Sequence, residues 1–233
     1  MIGEHIFFDI AAWLSALLAA WLLYRWRFRQ RIEVLSRRLG AGYFVALTGG
    51  GVLGSYGFGT LNVVISGQSG VGRSILGGLF GAIVMVEIYK LGAGIRGSTG
   101  AVLAVPFALA VAIGRIGCYQ AGLEDFTYGV ATDLAWGVDY GDGIARHPVQ
   151  LYEALTMAVL AAAVLAGLWR RSAWAMAHGF YVAVGVYSVQ RFLWEFLKPY
   201  AAVLGPLNLF HLLCLILIVY AISMVYFAKD NRT

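Results

Sequence analysis

Charge is scarce in this sequence. Asp, Glu, Lys and Arg together make up 12% of its 233 residues, where a soluble domain carries about 25%. That shortage, with 61% hydrophobic residues and a mean hydropathy of +0.77, excludes a soluble globular enzyme and a disordered chain. Cysteine is scarcer still. Cys118 and Cys214 are the only two, too few for a disulfide scaffold, although one bridge between them stays open. Neither lies in a spaced ligand motif, so the expectation is no metal and no cofactor. Four prolines exclude a collagen-like chain. No internal repeat is present, which leaves a repeat-built transporter unsupported. The first apolar run also lacks a basic leading flank. It is preceded by Glu4 and overlaps Asp9, with no Lys or Arg, so a cleaved signal peptide is not expected.

What the sequence has is length of apolar run. Runs near 6–24, 43–66, 74–91, 98–118, 148–168, 177–197 and 207–227 each approach the ~20 residues that a helical span needs. They lack period-two alternation and exceed the length of barrel strands. In lipid the backbone must satisfy itself, which leaves helices. The expectation is an all-α membrane protein of seven transmembrane helices, 1–233 as a single polytopic domain. The net charge of +5 then reflects topology rather than a nucleic-acid partner, because basic residues collect in cytoplasmic loops. Arg25, Arg27, Arg29, Arg31, Arg37 and Arg38 follow the first run, which puts 25–42 inside and the N-terminus outside. Strict alternation puts Lys90, Arg96, Arg170, Arg171, Lys229 and Arg232 inside as well, with a cytoplasmic C-terminus. Twelve of the 17 basic residues fall on that side. The longest outer loop, 119–147, is acidic, with Glu124, Asp125, Asp133, Asp139 and Asp142 against Arg146.

The remaining bases, Arg73, Arg115, Arg146, Arg191 and Lys198, map to the outer side or the outer half of a span. An arginine at the bilayer centre costs about 2.5–3.5 kcal/mol on insertion scales. Two readings cover Arg115 and Arg191: snorkelling with a salt bridge, or a clamp on a phospholipid phosphate, for which the guanidinium fork is suited. Tyr187, Arg191 and Glu195 recur at i, i+4 and i+8 and share one helix face, with Glu195 placed to pair with Arg191. The segment Arg146-His147-Pro148-Val149-Gln150-Leu151-Tyr152-Glu153 opens the fifth run. Pro148 suits the first helical position and puts His147 at the cap, with Gln150 and Glu153 on the same outer turn. The cluster is either a hydrogen-bonded helix start or a proton relay through His147. His211, one turn into the last run, reads first as a core histidine. Cys118 reads as an inert thiol beside Arg115, and Glu87 as an ion-pair partner of Lys90. Gly50-x-x-x-Gly54 and Gly77-x-x-x-Gly81 read first as helix-packing stripes.

Taken together, Gly114-Arg115-Ile116-Gly117, Thr132-Asp133-Leu134-x-Trp136-Gly137, Arg146-His147-Pro148-x-Gln150-Leu151-Tyr152-Glu153-Ala154 and Tyr187-x-x-x-Arg191-Phe192-x-x-Glu195-Phe196 resemble the prolipoprotein diacylglyceryl transferase family, over roughly residues 74–227. The resemblance implies a bacterial inner-membrane protein with seven helices and an outward-facing site. It implies transfer of a diacylglyceryl group from phosphatidylglycerol, or another anionic phospholipid, to the lipobox cysteine of a preprolipoprotein or a related acceptor, with glycerol 1-phosphate leaving. On this reading Arg115 and Arg191 bind the phosphate, with Glu195, Arg146, Gln150, Gly77 and Gly78 around the substrate. Tyr187, His147 and Glu153 are the catalytic candidates. The family's His-Gly-Gly motif stands here as Leu76-Gly77-Gly78, and the Asn after its Gly-Arg-x-Gly as Cys118. His147, Glu153 and His211 are therefore the candidates for the missing base. The alternative is a phospholipid-binding protein that keeps the clamp without catalysis.

Overall fold

The computed structural model describes residues 2–227. Every one of the seven apolar runs becomes a helix. Helix α1 (Ile2–Leu23) passes through a π-helical turn at Tyr24–Phe28 into a short α2 (Arg29–Ser36). Then come α3 (Ala41–Ile65), α4 (Ile75–Gly92), α5 (Ala104–Ala121), α6 (Val149–Trp169), α7 (Ala173–Glu195) and α8 (Leu209–Phe227). The segment 25–42, expected on the cytoplasmic side, is helical as far as Ser36. A π turn inserts one residue into the helical repeat and rotates the following face. Here it brings Phe28 fully into the core while Arg25 and Arg29 stay exposed. Lys229 and Arg232, placed on the inner side from sequence, lie outside the described residues.

Among the described residues, five helices are long and apolar enough to cross a membrane: those within Ile6–Ser36, Ile75–Gly92, Ala101–Asp125, Val149–Trp169 and Leu209–Phe227. The protein is a multi-pass membrane protein. Helices α3 and α7 fall outside that set for readable reasons. Glycine and hydroxyl residues dilute the hydropathy of α3, and α7 carries Gln190, Arg191 and Glu195 in its last turns.

Helix starts follow capping chemistry. The Ser74 hydroxyl accepts from the Gly77 N–H at 3.0 Å, and the Ser172 hydroxyl accepts from the Ala175 N–H at 3.2 Å. Pro148 serves as the N-cap of α6, and helical geometry begins at Val149, one residue later than the sequence suggested. Helices α3 and α4 meet through glycine. A Cβ on Gly50 would lie 2.5 Å from the Gly81 carbonyl oxygen, and one on Gly77 would lie 2.5 Å from that of Gly54. The two backbones touch as the small-residue stripes predicted.

Helix ends gather on two sides. On one side Arg73, just before α4, reaches Asp9 near the start of α1 at 3.9 Å. On the other, Arg31 Nη1 donates to the Met176 carbonyl at 2.8 Å near the start of α7, and Trp26 meets Trp169 at the end of α6 with ring centroids 5.7 Å apart. Two short antiparallel ribbons complete the first side: β1 (Val138–Asp139) with β2 (Ala145–Arg146), and β3 (Ala202–Leu204) with β4 (Leu207–Asn208). The 119–147 loop is tied down by the Val130 N–H, which donates to the Leu197 carbonyl at 2.7 Å.

Candidate functional site

The buried charges converge at one place, where the end of α5, the start of α6, the end of α7 and the start of α8 meet. Glu153, fully buried on the first turns of α6, is the centre. Its Oε2 pairs with Arg115 Nε from α5. Its Oε1 accepts from Arg191 Nη1 of α7 at 2.5 Å and from Lys198 Nζ at 2.8 Å. Arg191 also places Nη2 2.7 Å from Glu195 Oε1, one helical turn on. Lys198 Nζ lies 3.8 Å from the same oxygen. Asn208 closes the ring, donating through Nδ2 to Glu195 Oε2 at 3.0 Å.

Three cations therefore surround two carboxylates, and the cluster carries one positive charge in excess. Buried charge is costly unless it is paired. One further anion would balance that excess, and Arg191 Nε is a guanidinium donor with no hydrogen-bond partner among the described residues. Lys198 follows the end of α7, outside the spans. Burial, and then the charge of Arg191, push its ammonium down to about 8 against the opposing pull of Glu153.

Asn208 does a second task. Its Oδ1 accepts from the Phe210 and His211 N–H groups at 2.9 and 3.0 Å, capping α8. Its own N–H donates to His211 Nδ1 at 3.1 Å. A neutral imidazole that accepts at Nδ1 carries its proton on Nε2. His211 is therefore held as a donor, wedged against Phe196 with ring centroids 4.3 Å apart. Tyr187 is fully buried one turn deeper than Arg191, packed edge-on against Phe107 at 5.2 Å and within electrostatic reach of Arg115 and Arg191.

The other residues singled out from sequence sit around this cluster rather than in it. The Gln150 Oε1 accepts from the Tyr140 hydroxyl at 3.2 Å, which ties α6 to the outer loop. His147 Nδ1 lies 3.4 Å from the Tyr152 hydroxyl, and its main chain joins the loop through Gly129 and Val130. Arg146 pairs with Asp142 at 2.6 Å and lies over the Tyr128 ring. That hydrogen bond holds the Asp142 carboxyl below the usual range. Gly77 and Gly78 meet α3 at Gly54, Gly51 and Ser55. Cys118 is free and accepts from Arg115 Nη1 at 3.8 Å, and Cys214 is free as well. Among the described residues no group of three His, Cys, Asp or Glu could hold a metal ion.

Sequence reasoning counted Lys198 among the outer bases without bringing it to the site, and it passed over Asn208. The signal for Asn208 was present: an Asn directly before an apolar run is a helix-start pattern.

A sequence model of prolipoprotein diacylglyceryl transferases matches residues 10–227. Curated relatives share that name. The chain is 32% identical over 167 residues to a phosphatidylglycerol–prolipoprotein diacylglyceryl transferase of Clostridioides difficile, covering 70% of this chain and 64% of the relative. It is 31% identical over 172 residues to the one from Methylococcus capsulatus, covering 70% and 63%. It is 44% identical over 92 residues to the one from Solidesulfovibrio magneticus, covering 36% and 32%. The chain thus spans less than two thirds of the length of these relatives. No solved structure matches it.

Proposed function

The chain belongs to the prolipoprotein diacylglyceryl transferase family, and from that membership we propose that it moves the diacylglyceryl group of phosphatidylglycerol to the cysteine thiol of a preprolipoprotein or a related acceptor. The acceptor sulfur forms a bond to the glyceryl carbon, the bond from that carbon to the phosphate oxygen breaks, and glycerol 1-phosphate leaves. The observation that carries this reading is the excess positive charge around Glu153. Arg115, Arg191 and Lys198 neutralise charge that grows on the departing phosphate, as preorganised cations do. Glu153 and Glu195 hold the two guanidinium groups in place. Asn208 and the Nε2–H of His211 stand on the α8 side of the same site.

The thiol must lose a proton, which passes to solvent water, to attack. The same excess positive charge favours the thiolate of an incoming cysteine, because a nearby opposite charge stabilises the ionised form. In this account the cluster activates the nucleophile and stabilises the leaving group, and His147 orders the outer loop. The alternative, a lipid binder without catalysis, rests on Leu76 in place of a histidine; the relatives reported above all carry the transferase name.

All seven long helices cross the bacterial inner membrane, with the N-terminus outside and the charged cluster toward the outer leaflet. The arginines near 25–38 and at 170–171 lie on the opposite side, as the distribution of basic residues favours. The test is reconstitution of the full chain in phosphatidylglycerol vesicles with a lipobox peptide. A gain of one diacylglyceryl mass on the peptide is expected. No transfer at any pH, with phosphatidylglycerol still bound, would replace this reading with the non-catalytic one.

A further inference from the structure

Phe107 has two faces of interest. One packs against Tyr187 of the charged cluster; the ring also lines a separate cavity of about 120 Å³ among α3, α4, α5, α7 and α8. None of Arg115, Glu153, Arg191, Glu195 or Lys198 lines that cavity. Its walls are largely apolar, with Leu79, Ile83, Phe107 and Phe180 prominent. Most of its polar groups are already engaged. The Tyr43 hydroxyl donates to Thr99 Oγ1 at 3.0 Å. Glu87 accepts from Lys90 Nζ at 2.8 and 2.9 Å and from the Tyr220 hydroxyl at 2.8 Å. Its charge is thereby balanced within the protein.

Tyr181 is the exception. It is 2% exposed and lines the cavity, where its hydroxyl faces the Ser98 hydroxyl; neither makes a well-formed hydrogen bond to any other described residue, so the pair keeps a donor to spare. A buried hydroxyl left unpaired costs free energy that a bound oxygen would recover. An apolar chamber with one pair of hydroxyls on its wall and no net charge selects by chemistry. It rejects anions and cations alike, and it accepts a hydrocarbon body carrying one oxygen near its end. We propose that this cavity is a second binding site, distinct from the transferase cluster and independent of its activity, for the oxygen-bearing end of an uncharged long-chain amphiphile, whose hydroxyl or ester oxygen bonds Tyr181 between Ile83 and Phe180. Long-chain alcohols and acylglycerols share that chemistry.

The test uses the full chain in phosphatidylcholine nanodiscs with two photoreactive diazirine probes, a long-chain alcohol and a monoacylglycerol. Saturable labelling should map to the α4 segment around Ile83 or the α7 segment around Phe180, and the probe that labels identifies the source. Ile83→Trp fills the chamber and should lower labelling roughly tenfold, and Tyr181→Phe, which keeps the ring and the packing, should lower it several-fold. A long-chain amine and an alkyl phosphate should not compete. Labelling that is unchanged in both variants, or that a charged amphiphile displaces as well as a neutral one, would overturn the proposal. Both variants should retain diacylglyceryl transfer, so failure of the transfer reaction itself would be seen separately in the wild-type protein.

Discussion

Arg191 Nη1 and Glu153 Oε1 stand 2.5 Å apart although 38 residues separate them in the chain. That contact joins α7 to α6, and Arg115 and Lys198 converge on the same carboxylate. Glu153 is therefore the keystone of a cationic site. Glu153→Gln removes the negative charge at the centre and leaves three buried cations facing one carboxylate. Breaking a buried pair costs about 3–5 kcal/mol. Thermal unfolding in detergent should show a loss of that order, together with loss of transfer. A variant as stable as the wild type would mean that the cations are stabilised elsewhere.

Activity should follow a bell in pH. The rising limb belongs to the acceptor thiol, near 8.5 when unperturbed and lower beside the cluster. The falling limb belongs to Lys198, pushed down to about 8. As its proton leaves, the excess positive charge disappears and phosphate is held less well. Lys198→Arg should move the falling limb beyond the alkaline range, since guanidinium stays charged. His147→Gln should leave both limbs in place; loss of the rising limb in that variant would make His147 the base.

The same lysine gives a stability prediction with a definite sign. Its ammonium is depressed in the folded state, so between about 8 and the unperturbed value near 10.4 the unfolded chain binds the proton and the folded chain does not. Stability should rise with pH across that window. Lys198→Met should flatten the rise, as measured by denaturation midpoints from pH 7 to 11.

Asn208→Ala removes the cap of α8 and the anchor on Glu195 together. The cap alone is worth ~1 kcal/mol. Turnover should fall further than that loss explains, because Glu195 and His211 lose their fixed positions. Asn208→Asp keeps the cap but repels Glu195, so it should restore stability more than rate.

Packing between α3 and α4 predicts a purely structural effect. Gly50→Val would drive a side chain into the Gly81 carbonyl. Overpacking of this kind costs about 1–3 kcal/mol. The expected outcome is a lower melting temperature with the pH profile unchanged.

The parts of this structure that depend on neighbours along the helix were readable in the sequence. Arg191 and Glu195 share a face because they are four residues apart. Lys90 and Glu87 pair because they are three apart. The glycine stripes announced a close helix contact. What stayed hidden depended on how separate helices come together. Nothing local ties Glu153 to Arg191; helical spacing assigns Arg191 a single partner, Glu195, where the structure supplies two carboxylates. Glu153, proposed there as a catalytic base, has both oxygens committed to cations. The donor state of His211 rests on an Asn208 N–H that only the turn into α8 positions. The π turn at Tyr24–Phe28 also escaped notice, because one inserted residue scarcely changes the apolar pattern.

The central claim is that the cluster holds a phospholipid phosphate, and headgroup-selective lipid retention measures it most directly. Native mass spectrometry of the purified protein, equilibrated with equal phosphatidylglycerol and phosphatidylcholine, would compare wild type with Arg191→Lys, Arg191→Gln and the Arg191→Gln, Glu195→Gln double variant. Lysine keeps the charge and loses the planar fork, so phosphatidylglycerol retention should weaken by roughly tenfold. Glutamine should weaken it more, and the double variant should stay defective because the phosphate partner is still missing. Wild-type preference for phosphatidylglycerol in the double variant would contradict the account, reducing Arg191 to a structural partner of Glu195.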